Sequence, residues 1–98
     1  MGECLNVLLH YEGEIKYISL GKYPGWIASI CQDCGHRGVH PSFSEHYITE
    51  DNNYYSWNWL TGAELKKIHP EIIEELVKEC MFDLVINDSD IFNFFCDS

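Results

Sequence analysis

The chain has 98 residues, enough for one small domain spanning 1–98, and its 46% hydrophobic and 14% aromatic content suffices for a buried core, which excludes global disorder. Six Lys and Arg stand against 16 Asp and Glu, a net charge of −10, so Coulomb repulsion disfavours nucleic acid and anionic membranes and favours a basic protein partner. No apolar run approaches the roughly 20 residues needed to cross a bilayer, and MGECLNVLLHYEG lacks the basic start and long apolar stretch of a signal peptide, so the expected location is the cytoplasm.

Leu5, Val7, Leu9 and Tyr11 alternate with Asn6, Leu8 and His10, and a second strand-like run from Ile15 to Leu20 follows Glu12-Gly13. This period of two predicts an N-terminal β-hairpin, with Gly13 at the positive φ that a short turn needs. After the punctuation of Gly21 to Gly25, the residues Trp26, Ile27, Ile30, Cys31 and Cys34 recur at helical spacing, predicting a helix that stops at Gly35. Residues 35–59, with Gly38, Pro41 and several Ser and Asn, read as an irregular central loop holding at most one irregular strand.

Thr61-Gly62-Ala63-Glu64 is a capping-box sequence and opens a helix. Pro70 fits the first turn of a second helix, with Ile72, Ile73, Leu76, Val77 and Cys80 on one stripe. Phe82 to Ile86 reads as a buried strand. The last apolar run, Ile91, Phe92, Phe94 and Phe95, is expected to dock on the core, as a strand beside Phe82–Ile86 or as a short helix; the other outcome is a patch for self-association. The predicted class is α+β: an N-terminal β-hairpin, a helix, an irregular central loop, two consecutive helices and a C-terminal strand in one small domain.

Residues 1–49 carry five acids and three bases, whereas residues 50–98 carry eleven acids and three bases. The acidity therefore belongs to the second half, where Glu71, Glu74, Glu75 and Glu79 fall on the polar side of the Pro70 helix. Tyr54, Tyr55 and Trp57 adjoin Glu50 and Asp51, so aromatics suited to interface contact are rimmed by acids. These nine residues are the candidate partner-binding set. Trp59 and Leu60 are better read as packing the capped helix onto the core.

Five cysteines, Cys4, Cys31, Cys34, Cys80 and Cys96, are an odd number without a disulfide framework, so free thiols are expected. Cys31 and Cys34 have the spacing that places two thiolates on adjacent corners of a Zn²⁺ tetrahedron, and His36, His40 or His46 can supply imidazoles; no fourth ligand is obvious. A redox pair is disfavoured, because the two cysteines fall where the predicted helix ends rather than at its positive end. Neither G-x-S-x-G, a P-loop nor a dinucleotide fingerprint occurs, and the remaining enzyme reading rests on Cys34 and His36 alone.

Ser56-Trp57-Asn58-Trp59-Leu60-Thr61-Gly62-Ala63-Glu64-Leu65 resembles a Ser-aromatic-Leu-Thr-x-x-Glu-Leu segment of small phage and bacterial proteins, over about a tenth of the chain. In size, acidity and cytosolic character the chain is also similar to phage-encoded anti-defence inhibitors, the anti-CRISPR and anti-restriction proteins. The charge split and the missing catalytic signatures, with this resemblance beside them, lead to the expectation of a non-enzymatic phage-type inhibitor in the host cytosol, without cofactor. Its acidic second half and adjacent aromatics are expected to occupy a basic surface on a nucleic-acid-binding host protein such as a CRISPR or restriction nuclease. The alternative from the residues is a small zinc-stabilised adaptor built on Cys31, Cys34, His36 and His40.

Overall fold

The alternating N-terminal runs become strands β1 (Cys4–Tyr11) and β2 (Glu14–Lys22), paired antiparallel from Tyr11 opposite Glu14 to Cys4 opposite Lys22. The computed structural model describes residues 4–22, 35–43 and 57–97. Both turn residues take positive φ, 51° at Glu12 and 79° at Gly13, the handedness of a two-residue turn whose twist matches the strands it joins. A register shift beside Leu5 and Asn6 puts a bulge in β2 at Leu20.

Strands β3 (Trp57–Thr61) and β4 (Ile91–Asp97) complete a four-stranded antiparallel sheet in the order β2-β1-β4-β3. The chain's last strand is thus central: Val7 and Asn58 flank Phe94, and Leu9 and Leu60 flank Phe92. Docking of the C-terminal run is borne out, but its partners are β1 and β3, and the second half contributes two strands where one was expected. Phe82–Ile86 is not a strand. Its side chains alternate, with Phe82, Leu84 and Ile86 half-buried and Met81, Asp83 and Val85 exposed, while its backbone has no ladder partner among the described residues. β4 holds the central place in the sheet that such a strand would need.

Helix α1 (Gly62–Ile68) begins at the predicted box: Thr61 Oγ1 accepts from the Glu64 N–H at 3.2 Å, and the Thr61 N–H donates to Glu64 Oε1 at 3.1 Å. It closes where the His69 N–H donates to the Leu65 carbonyl, and Pro70, which has no N–H to lose, starts α2 (Pro70–Glu79). Ile72 and Leu76, one turn apart, are fully buried. Val77 is 55% exposed, contrary to the predicted stripe, because it lies about 100° round the helix from Leu76.

Both helices cover one face of the sheet. Leu5, Val7, Leu9, Ile18, Leu20, Leu60, Phe92 and Phe94 meet Leu65, Ile72 and Leu76 there in a single cluster, each large side chain contributing about 1.5–3 kcal/mol by leaving water. The opposite face carries Asn6, Leu8, His10, Tyr17, Trp57 and Phe95. On it Trp57 stacks on Phe95 at 4.2 Å and Phe43 stacks on His10 at 4.6 Å. Asn6 is buried on this face, and among the described residues neither amide atom of its side chain has a hydrogen-bond partner. No helix among the described residues is long and apolar enough to cross a membrane. The predicted helix over 26–34 lies outside the described residues.

Candidate functional site

The segment 35–43 straps the β3 edge of the sheet, held by two buried asparagines on adjacent strands. Asn58 accepts from the Arg37 N–H at 2.6 Å and donates to the Gly35 carbonyl at 3.0 Å. Asn93 accepts from the His40 N–H at 2.7 Å and donates to the Asn58 and Gly38 carbonyls at 3.3 and 3.4 Å. An irregular backbone cannot satisfy itself, and these two amides supply what a neighbouring strand would have supplied. The strap ends in a single 3₁₀ turn, Pro41–Phe43, which buries Phe43 against His10 on the sheet face away from the helices.

Arg37 ties the strap to α1. Its two terminal nitrogens each donate to one oxygen of Glu64, both at 2.6 Å, and its guanidinium lies 4.8 Å from the Trp59 ring centre. This bidentate geometry is the strong form of an ion pair. The Arg37 guanidinium holds the Glu64 carboxyl down at about 2; partial burial opposes this, and the Thr61 N–H and hydroxyl assist. Glu64 therefore serves the cap and the strap together and stays ionised.

His40 Nδ1 sits 2.8 Å from Ser42 Oγ and accepts from the Ser42 N–H at 3.1 Å, and the imidazole meets Trp59 edge-on at 4.7 Å. Burial, and then the neighbouring His10, lower its pKa. With Nδ1 an acceptor, the ring of neutral His40 carries its proton on Nε2, the reverse of the usual arrangement in which a ligating imidazole donates through its other nitrogen. His36 is exposed on the strap. Cys31 and Cys34 lie outside the described residues, and among the described residues no group of three His, Cys, Asp or Glu side chains is placed to hold a metal ion. Cys4 and Cys80 are free thiols, and burial pushes the Cys80 thiol up.

Of the nine partner-binding candidates, Glu50, Asp51, Tyr54 and Tyr55 lie outside the described residues. Glu71, Glu74 and Glu79 are exposed on α2 and Glu75 is half-buried; at about 100° per residue Glu74 lies opposite Ile72 and Leu76, whereas Glu79 falls on their side and lines the groove beside β2. Trp57 is half-buried on the far face of the sheet, stacked on Phe95, so it does not share a surface with the α2 acids. Arg37, Asn58 and Asn93 were missed by sequence reasoning, since their contacts span 21 to 55 positions and no local pattern marks them. The one available signal was two asparagines inside otherwise apolar runs, at Trp57–Leu60 and Ile91–Phe95. No family model, no curated protein and no solved structure matches the chain.

Proposed function

We propose that this is a non-enzymatic interaction protein that engages a basic surface on a partner through the outer face of α2, acting in the cytoplasm as a phage-type inhibitor of a nucleic-acid-binding host protein such as a CRISPR or restriction nuclease. The observation that carries the reading is the division of α2: Ile72 and Leu76 hold one side in the core while Glu71 and Glu74 project away from it and Glu79 stands exposed at the helix end, with Lys78 the helix's lone base. That face continues the −10 charge of the whole chain and suits electrostatically steered association with a basic surface. Carboxylates placed on such a surface take the positions of phosphates. Charge reversal of Glu71, Glu74, Glu75 and Glu79 together is expected to abolish binding to purified candidate nucleases, and the wild-type affinity to fall as salt rises through the physiological range. Affinity indifferent to both changes sinks the reading.

A further inference from the structure

Among the described residues nothing pairs with the outer edge of β2, and this edge is not smoothly exposed: Lys16 to Ser19 form one wall of an open groove of about 450 Å³ whose other wall is Glu79 to Phe82. A second hollow, lined from Val77 to Leu84, continues it across Met81. Met81, on the wall facing the strand edge beside Cys80 and Phe82, is 99% exposed, and Val77 in the second hollow is 55% exposed, so apolar side chains stand solvated here, an arrangement a small domain gains nothing by keeping for itself. An open strand edge offers the N–H and C=O of every second residue, spaced for an incoming strand, and a groove alongside it takes that strand's side chains.

We propose that the β2 edge over Glu14–Ser19, with the groove against Met81, is a strand-addition site for an extended segment of a basic partner protein, one in which lysine or arginine alternates with apolar residues. The apolar side chains enter the groove beside Met81 and Phe82. The basic ones reach the rim, where Glu79 and Asp83 stand and where the cation of Lys16 is already held by Glu14 at 3.0 Å. The bulge at Leu20 ends the regular edge and so bounds the site. A second copy of the chain is the wrong occupant on charge, since pairing would bring together two bodies of −10 each. The basic character of the segment rests on the reading of α2 given above; the strand geometry does not.

The test uses the full chain, isotope-labelled, and a synthetic peptide of alternating valine and lysine as probe. Amide resonances of Glu14–Ser19 are expected to shift and their hydrogen exchange to slow, and M81K, at a fully exposed position that leaves the fold intact, is expected to weaken binding at least tenfold. A peptide with prolines in place of the valines, of equal charge but unable to add as a strand, is expected to bind at least tenfold more weakly than the parent. Equal binding of the two peptides, or shifts confined to the outer face of α2, would overturn strand addition while leaving the proposed function standing. Equal binding of a valine–glutamate peptide at β2 would overturn the basic occupant and count against the α2 reading as well. A wild-type dimer in sedimentation that M81K dissolves would show the second copy to be the occupant and overturn the proposal.

Discussion

Replacing Arg37 by Met keeps most of the aliphatic stem and removes the charge, which isolates the tie between strap and helix. Exposed ion pairs are worth about 0.2–1 kcal/mol, and hydrogen bonds to charged groups about 1.5–3 kcal/mol. With side chains 26% and 28% exposed and two bonds of 2.6 Å, Arg37–Glu64 falls between these limits, at about 1.5 kcal/mol. The guanidinium over Trp59 adds about 0.5 kcal/mol. R37M is therefore expected to cost about 2 kcal/mol, a fall in Tm on the order of 8–16 °C for a domain of this size. Thermal melts of R37M, Glu64→Gln and the double variant give the coupling, expected near 1.5 kcal/mol.

The pH dependence supplies an independent check. The carboxyl of Glu64 titrates at about 2 in the fold against its ordinary value of 4.5, so the folded state binds its proton less readily than the unfolded chain. The stabilisation is accordingly complete above about pH 4.5 and drains away as the pH falls towards 2. The Tm gap between wild type and R37M should narrow across that window. A coupling below about 0.5 kcal/mol, or a gap unchanged from about pH 6 to about pH 2, would refute the assignment of Arg37 as the tie.

Two further substitutions probe close packing. A Cβ on Gly62 would overlap the Asn87 carbonyl oxygen, while the Gly62 N–H already donates to the Asp90 carbonyl at 2.8 Å, so neither side can withdraw freely. Gly62→Ala is expected to lose about 1–3 kcal/mol in denaturant unfolding, and full stability would mean that the 87–90 turn moves aside at little cost. Asn6→Val removes a buried amide whose two polar atoms are unpaired and puts a β-branched residue in a strand; it is expected to gain about 1–2 kcal/mol. A lower Tm for Asn6→Val would show that the amide is bonded in solution.

What could be read in the sequence was local. The β1–β2 hairpin needed only period two and Gly13, and α1 and α2 needed only the Thr61–Glu64 box and Pro70; each signal lies within a few residues of what it controls. Phe82–Ile86 shows the limit of the method. Its aromatic and β-branched composition reads as a buried strand, but composition is silent on whether a backbone partner exists and on which apolar side chains face outward: Phe82, Leu84 and Ile86 are half-buried while Val85 is exposed. The position of β4 between β1 and β3 depends on pairings such as Leu9 with Phe92, 83 positions apart, which no window along the chain contains. At the candidate sites the division is similar: the exposed acids of α2 follow from helical periodicity, whereas the strap's asparagine brackets and the groove at Met81 exist only once distant segments meet.

The strand order has a consequence for biosynthesis. β4 occupies the middle of the sheet yet is translated after the other three strands, so the growing chain holds a finished hairpin whose β1 edge has no strand to join until residues 91–97 emerge. At about 5–20 residues per second the 75 positions between Lys22 and Asp97 take on the order of 4–15 seconds. During that interval the nascent chain presents an open strand edge inside a crowded cell, and the sheet closes only once β4 has emerged. Pausing the ribosome upstream of Ile91 is thus expected to leave a protease-sensitive, chaperone-binding chain, whereas pausing it on an appended C-terminal extension long enough to free β4 should yield the protected fold.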